Sequence, residues 1–327
     1  MDNASMTIET SELRYPSKDG STSIHAVVWS AAGADVSVGS SVENPVRGIV
    51  QIVHGMAEYI ERYDDFARFL AGNGFVVCAN DHIGHGRSVN DKADWGNLPL
   101  SGGAQVLIDD AHALRQLMVE KYGPETPYVM FGHSMGSFVV RAYLARYAEG
   151  LSGAVLCGTG YVALATAKAG RTLARSTGKV HGGRAKLSAL QKMADGAYAK
   201  AIPNARTDFD WLNTDPEAVD AYIADEACGF MFTVGGYATL MDLLVEVNDP
   251  ACVAAWPQDL PTLFIAGGQD PVGSNGEGVR TVARMAIDAG VANVNIKIYD
   301  EMRHEILNEP NHAVVYGDVL DWLGRLA

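Results

Sequence analysis

Residues 128–150 read YVMFGHSMGSFVVRAYLARYAEG, and this stretch decides the expected fold. It begins with an apolar run, YVMF at 128–131, of the kind that forms a buried β-strand. It ends with a helical pattern, FVVRAYLARYAEG at 138–150, that closes near a glycine suited to a helix C-cap. The residues between them, GHSMG at 132–136, predict a tight turn. We therefore expect a strand, a turn and a helix in direct succession.

The alternation of strand and helix continues along the chain. Most of the strand patterns are apolar on both faces, as buried parallel strands are, and helical patterns such as YDDFARFLAGNG and AQVLIDDAHALRQLMVEKYG lie between them. The patterns predict an α/β protein with a mostly parallel central sheet and helices on both of its faces. The other six strand runs are IHAVVW from Ile24, RGIVQIV from Arg47, FVVCA from Phe75, AVLC from Ala154, TLFIA from Thr262 and VNIKIY from Val294.

The alternation stops after Cys157 and resumes near Leu260. The intervening sequence is helical, rich in alanine and interrupted by glycines, which predicts a helical cap inserted into the core. We expect a first core part at residues 1–160, a cap or lid at 161–255 and a second core part at 256–327. The segment AAGADVSVGSSVENP at 31–45 lacks periodicity and predicts a surface loop.

Composition excludes several classes of protein. The 327 residues are 48% hydrophobic and 20% charged, as in an ordinary globular protein large enough to form a core without disulfides. A net charge of −14 disfavours nucleic acid as a partner. Four scattered cysteines suit a reducing compartment. Without an apolar run of about 18 residues or a signal-peptide pattern, the sequence predicts a cytoplasmic protein.

Ser134, at the centre of GHSMG, is the candidate nucleophile. A serine that follows a strand and precedes a helix can sit on a strained turn with its hydroxyl exposed, and the flanking glycines keep that turn free of side chains. The N-terminus of the following helix favours negative charge beside it. The alternative is a serine in an ordinary glycine-rich helix start.

A serine hydroxyl requires a base, which in turn requires an orienting carboxylate. Of the nine histidines, His304 and His312 follow the last strand pattern. We favour His304, which lies in a loop, over His312, which lies within a helical run. For the acid we favour Asp270, because it directly follows a strand. Asp249 and Asp300 are interpreted as turn or capping residues.

Two backbone N–H groups are expected to bind the oxyanion of the tetrahedral intermediate. One belongs to Met135, which follows the serine, and the other to Met56 in the loop HGM after the strand RGIVQIV. The alternative for HGM is an ordinary strand-to-helix loop.

No cofactor or metal is predicted. The chain has no P-loop pattern, GTGYVA at 158–163 lacks the acid expected after a dinucleotide-binding turn, and HEILN at 304–308 lacks the second histidine of a zinc motif. The residues NDHIGHGRS at 80–88 are interpreted as a hydrogen-bonded turn that supports the site.

Together these motifs resemble the α/β-hydrolase superfamily, and within it the monoacylglycerol lipase and lysophospholipase-like serine hydrolases. The resemblance implies a catalytic triad of Ser134, Asp270 and His304 and oxyanion donors at Met56 and Met135. It runs from about residue 46 to the C-terminus and is carried by HGMAEYIERYDDFARFLAGNGFVVCANDHIGHGRS, by GHSMGS, and by GGQDPVG with MRHEILNE.

The resemblance also implies an ion pair between Glu58 and Arg62 that shapes the oxyanion loop. Two positions depart from the family pattern. Tyr59 stands where many relatives have histidine, and Ile83 stands where many have arginine. Both flank the expected site, so they bear on substrate preference more than on the chemistry.

The function expected is hydrolysis of carboxylic esters through an acyl-enzyme, with a monoacylglycerol, a lysophospholipid or another small lipid-like ester as substrate. A peptidase or amidase, and a non-catalytic small-molecule receptor, are the alternatives. The cap aromatics and one methionine are expected either to wall an acyl site or to form the cap's own core: Phe209, Trp211, Phe230, Met231, Phe232 and Tyr237.

The cap also has an uneven charge. Residues 161–194 contain seven basic side chains and no acid, whereas residues 195–230 contain eight acids and two bases. The basic half could contact an anionic lipid surface transiently, unless the acidic half neutralises it. The sequence leaves the oligomeric state open.

Overall fold

An eight-stranded sheet forms the centre of the computed structural model, which describes residues 7–34, 46–194 and 196–326. The strands lie side by side in the order β1-β2-β4-β3-β5-β6-β7-β8. They are β1 Ile8–Pro16, β2 Ser23–Ala31, β3 Gly48–Val53, β4 Phe75–Asn80, β5 Tyr128–His133, β6 Gly153–Cys157, β7 Thr262–Gly267 and β8 Val294–Tyr299.

Strands β3 to β8 pair in parallel, and β2 is antiparallel to both β1 and β4. The α/β class and the mostly parallel sheet are confirmed, as are all seven expected strands. Strand β1 was not predicted, because its sequence IETSELRYP is largely polar. It lies at the edge of the sheet with most of its side chains in water, so little hydrophobic pattern is required there.

Helices cover both faces of the sheet, as the sequence predicted. One apolar cluster joins α1 and α11 to the sheet and includes Phe66, Phe131 and Val319. A second cluster on the opposite face joins α2, α3 and α10 to the sheet and includes Leu107, Val139 and Val282. These helices are α1 Asp64–Gly72, α2 Gly103–Tyr122, α3 Met135–Tyr147, α10 Glu277–Asp288 and α11 His312–Leu323.

Residues 158–261, between β6 and β7, form an inserted segment that is mainly helical. Its helix α8 packs against α3 of the core and against α4 of the segment itself. No helix of the described residues has the length and apolarity needed to cross a membrane. The segment's helices are α4 Leu164–His181, α5 Ser188–Ala194, α6 Gly196–Ala201, α7 Pro216–Ala224, α8 Val234–Val247 and α9 Pro250–Ala254.

The loop predicted at residues 31–45 falls largely on residues 35–45, which lie outside the described part of the chain.

Candidate active site

Ser134 lies on a strained turn between β5 and α3, as its sequence context predicted. Its φ of 53° and ψ of −122° are unusual for a residue with a side chain. The turn packs tightly against the end of β3 and the loop that follows it, residues 54–58, which we call the oxyanion loop after the role expected for Met56. A Cβ at Gly136 would lie 2.0 Å from the carbonyl oxygen of Val53, and one at Gly132 would lie 2.5 Å from that of Gly136. Both glycines are therefore required for this close approach.

His304 and Asp270 are paired and buried. The imidazole Nδ1 of His304 lies 2.9 Å from Oδ2 of Asp270, and Oδ1 of the same carboxylate accepts the N–H of Val272 at 2.9 Å. Because a carboxylate accepts here, Nδ1 carries the proton and Nε2 keeps a lone pair. A neutral imidazole in this tautomer can act as a general base.

The other candidate residues are placed elsewhere. Asp249 caps α9 by accepting the N–H of Ala251 at 3.0 Å. Asp300 is an exposed turn residue after β8. His312 begins α11, and its Nδ1 donates to the carbonyl of Glu309 at 2.7 Å.

Ser134 and His304 line one cavity of about 580 Å³ between the sheet and the inserted segment. The cavity wall is largely apolar and also contains Met56 and Met135. Of the aromatics predicted to wall an acyl site, four belong to it: Phe209, Trp211, Phe230 and Tyr237.

Phe232 and Met231 do not line this cavity. Phe232 is fully buried and packs between the rings of His85 and Tyr237, at centroid distances of 5.3 and 5.9 Å. Phe232 therefore packs where the inserted segment meets the core, and not in a separate core of the cap.

The oxyanion loop is held by His54. Its Nδ1 donates to the carbonyl of Gly55 at 2.8 Å, and its Nε2 accepts the N–H of His82 at 2.9 Å. Since Gly55 C=O and Met56 N–H belong to one peptide plane, the first bond orients that N–H. Burial, with the nearby His82 and His85, holds the pKa of His54 well below its usual value, so the ring stays neutral.

An ion-pair network connects this loop to the loop that holds His304, residues 300–311 between β8 and α11, which we call the histidine loop. The guanidinium of Arg62 contacts Glu58 at 2.9 Å and binds both carboxylate oxygens of Glu305 at 2.6 and 2.7 Å. Glu58 also accepts the N–H of Gly55 at 2.5 Å. The expected pair of Glu58 and Arg62 is present. Its extension to Glu305, the neighbour of His304, was not predicted.

His133, the neighbour of Ser134, belongs to the same network. Its Nδ1 faces Oε1 of Glu58 at 3.3 Å and the hydroxyl of Tyr63 at 2.8 Å, and its Nε2 faces the carbonyl of His304 at 3.3 Å. Tyr63 donates to Glu58 at 2.7 Å, so both ring nitrogens of His133 face acceptors. Burial opposes a charge there, but the bond to Glu58 outweighs it and raises the pKa of His133.

Three further residues belong to the site and were not predicted from the sequence: His133, Tyr63 and Glu305. Two of them adjoin motif residues, and that adjacency is the signal that could have identified them. The turn at residues 80–88 is hydrogen-bonded as expected, since the carboxylate of Asp81 accepts the N–H groups of Ile60 and Arg87 at 3.1 and 2.8 Å.

A serine on a strained strand-to-helix turn, facing the same cavity as a histidine held by an aspartate, together with this sheet, defines an α/β-hydrolase. A family model described as "Serine aminopeptidase, S33" matches residues 44–311. The chain therefore belongs to this family.

Relatives support the same assignment. A monoacylglycerol lipase of Mycolicibacterium smegmatis is 29% identical over 281 residues, which cover 85% of this chain and 88% of that protein. The solved structure of a thermostable carboxyl esterase from Bacillus coagulans superposes with a TM-score of 0.88 at 30% identity, covering 98% of this chain and 99% of the other. A monoglyceride lipase of Saccharomyces cerevisiae shares the fold, with a TM-score of 0.73 at 16% identity over 100% of this chain and 98% of the other. The chain is a carboxylic ester hydrolase.

Proposed function

We propose that this hydrolase cleaves esters of a single acyl chain, such as monoacylglycerols, lysophospholipids or small lipid-like esters, with Ser134 as its nucleophile. The observation that carries the proposal is the largely apolar cavity of about 580 Å³ that holds both Ser134 and His304. A cavity of this size suits one acyl chain. The monoacylglycerol lipase relative adds support for this substrate class.

In the proposed mechanism His304 Nε2 takes the proton of the Ser134 hydroxyl while the oxygen attacks the ester carbonyl. The N–H groups of Met56 and Met135 bind the oxyanion of the tetrahedral intermediate. His304 then returns the proton to the departing alcohol, which leaves an acyl-enzyme. Water then attacks the acyl-enzyme in the same way, with His304 as the base, and releases the acid. Asp270 holds the imidazole in the required tautomer throughout.

A peptidase or amidase is the second candidate, because the family description is that of an aminopeptidase. Such an enzyme needs a carboxylate that is free to bind the substrate's ammonium group. Among the described residues of the cavity wall, the carboxylates are Glu58 and Glu305, and Arg62 neutralises both. This pairing favours an uncharged ester over an aminoacyl substrate.

We also propose that residues 161–255 act as a cap over two core parts at 1–160 and 256–327, and that the cap contacts lipid surfaces transiently. Leu173 and Met193 are exposed, and both line the cavity. Within the described residues, two of the seven nearby basic side chains form ion pairs, Arg175 with Asp242 and Arg184 with Asp94. Among the described residues, no acid of the half that follows residue 195 and ends at residue 230 forms an ion pair with the basic half, which leaves most of its charge available to a lipid surface. We also propose a cytoplasmic location, because the four cysteines are buried and free, as suits a reducing compartment.

Labelling with a fluorophosphonate probe and turnover of p-nitrophenyl esters test the nucleophile. We expect Ser134→Ala to abolish labelling and to lower kcat by about 10⁴- to 10⁶-fold. Ser137→Ala is the matched control, because the Ser137 hydroxyl donates to the Ser134 carbonyl and Ser137 does not line the cavity. Equal labelling of wild type and Ser134→Ala would show that another residue is the nucleophile. Turnover that Ser134→Ala abolishes excludes a non-catalytic receptor.

A substrate series distinguishes the remaining alternatives. Monoacylglycerol, lysophospholipid, p-nitrophenyl esters of increasing acyl length and aminoacyl p-nitroanilides are compared, with and without anionic vesicles. We expect the ester substrates to be preferred and the vesicles to raise activity on monoacylglycerol. Faster cleavage of the anilides would favour the peptidase, and no effect of vesicles would contradict lipid contact.

A further inference from the structure

We propose that Tyr222, in α7 of the inserted segment, is a positioning residue for the oxyanion hole. Its hydroxyl fixes the carbonyl of Ala57 and thereby holds the neighbouring Met56 N–H in its productive orientation. The inference rests on the proposed function, because it concerns one of the proposed oxyanion donors. It implies that the inserted segment contributes to catalysis through the backbone of the oxyanion loop, and not only through its own contacts with the substrate.

The oxyanion loop has a strained backbone at the relevant point. Ala57 has a φ of 53°, in the left-handed region that residues with a side chain rarely adopt. Such a conformation persists where surrounding contacts hold it in place. The contacts of Ala57 therefore determine whether the loop keeps this shape.

Those contacts come from the inserted segment. The carbonyl of Ala57 accepts the hydroxyl of Tyr222 at 3.0 Å and the N–H of Gly229 at 2.9 Å. The same N–H lies 3.0 Å from the Tyr222 oxygen, so the three groups form one cluster. Tyr222 is buried, which shields the cluster from competing water.

The backbone is restrained on both sides of the Met56 N–H. On its N-terminal side, Gly55 is held by the side chains of His54 and Glu58. On its C-terminal side the chain is held through the Ala57 carbonyl. Without the Tyr222 hydroxyl, the Ala57 carbonyl keeps the hydrogen bond from Gly229 N–H but loses the other one. The backbone dihedrals of residues 56 and 57, and with them the direction of the donor, are then less restrained. An oxyanion donor contributes most when its direction is fixed before the reaction begins.

Tyr222 is itself well fixed. The Arg62 guanidinium carbon lies 4.8 Å from the centre of its ring, and Arg62 is held by Glu58 and Glu305. Burial raises the pKa of Tyr222 well above its usual value, so the hydroxyl remains a donor at every working pH. The residue thus connects the inserted segment with the oxyanion loop and the histidine loop.

The test compares Tyr222→Phe with wild type on p-nitrophenyl acetate, whose short acyl group limits direct contact with the Tyr222 side chain in the cavity wall. We expect kcat to fall about tenfold with KM unchanged, because the lost restraint acts on the transition state. Affinity for a trifluoromethyl ketone, whose hemiketal oxyanion occupies the hole, is expected to fall by a similar factor. All kcat values are normalised to sites titrated with fluorophosphonate, so that misfolded protein does not count.

Thr239→Val is the matched control. The Thr239 hydroxyl, in α8, donates to the carbonyl of Pro99 at 3.0 Å, which is another partly buried hydrogen bond between the inserted segment and the core, but one that does not involve the Ala57 carbonyl or the cavity wall. We expect this variant to keep kcat and the inhibitor affinity near wild type. An equal loss in both variants would show that general docking of the segment is responsible, and would overturn the inference.

The inference would also be overturned if Tyr222→Phe had the same kcat and the same inhibitor affinity as wild type. The proposed function would then still hold, because the wild-type enzyme would be active. If wild type neither labels nor turns over esters, the proposed function is wrong and this inference is wrong with it.

Discussion

At the scale of single residues, two neighbouring histidines have different hydrogen-bond partners. His304 has one acceptor partner, Asp270, so its other nitrogen is free to act as a base. His133 faces acceptors at both nitrogens and is raised in pKa by its bond to Glu58. Neighbouring imidazoles, with ring centres 4.9 Å apart, are therefore prepared for different tasks.

The role of Asp270 can be tested by Asp270→Asn. An amide in this position can donate to Nδ1 and so favours the tautomer that has its proton on Nε2, which cannot accept the proton of the serine. We expect kcat for p-nitrophenyl esters to fall about 10⁴-fold with little change in KM. Asp300→Asn, at the exposed turn, is expected to keep wild-type kcat. Comparable losses in the two variants would contradict the assignment of the acid.

At the scale of secondary-structure elements, the site depends on how closely β5, α3 and the oxyanion loop approach one another. The local sequence predicted the strand, the turn and the helix because each has its own periodicity. It could not predict the contact of Gly136 with Val53, since that contact joins two elements that are distant along the chain. The same limit explains why β1 was missed, because its position depends on pairing with β2 and leaves little hydrophobic pattern in its own residues.

Gly136→Ala tests this close approach. Its Cβ would lie 2.0 Å from the Val53 carbonyl oxygen, so the helix or the loop has to move. We expect a loss of about 1 to 3 kcal/mol in the free energy of unfolding, measured in urea, and a marked loss of kcat. Gly317→Ala, in α11, meets nothing within 4 Å and is expected to be neutral or stabilising by about 1 kcal/mol. Wild-type stability in Gly136→Ala would contradict the tight packing.

At the scale of the whole molecule, the inserted segment is attached to both loops that carry the proposed machinery. Tyr222 holds the oxyanion loop, and the backbone N–H of Glu305 in the histidine loop donates to the carbonyl of Leu212 at 2.8 Å. Close by, the buried rings of His54, His82 and His85 pack against one another, and His85 also contacts Phe230 and Phe232 of the segment. These three imidazoles, which burial keeps neutral, therefore lie where the core and the inserted segment are in contact.

These buried imidazoles make stability depend on pH. Burial lowers the pKa of His82 to about 4 and that of His85 to about 3. Because the unfolded chain binds these protons near pH 6.5, the stabilisation is complete above that value and is lost as the pH falls toward the folded-state pKa. Between pH 7 and pH 5 each histidine is expected to cost about 2 kcal/mol of unfolding free energy.

Urea unfolding of wild type and His85→Asn at the two pH values measures this effect. The asparagine amide can keep the bond to the Ile83 carbonyl, which His85 makes at 3.0 Å, but it does not titrate. Between pH 7 and pH 5, we expect the free energy of unfolding to fall by about 2 kcal/mol less in the variant than in wild type. Phe232→Leu disturbs the same packing without removing a titrating group, and it should keep the wild-type loss. An unchanged pH dependence in His85→Asn would contradict the prediction.

The sequence alone determined the α/β class, seven strands, the turn that carries Ser134 and the candidates Asp270 and His304. These features follow from local periodicity and from which side chains can do the chemistry, and both can be read from neighbouring residues. Three contacts could be found only in the folded molecule: Arg62 binds Glu305, Phe232 packs against His85 and does not line the cavity, and Tyr222 reaches the Ala57 carbonyl. Each of these contacts joins residues far apart in the chain, and the free energy of such a contact depends on packing that no local pattern records.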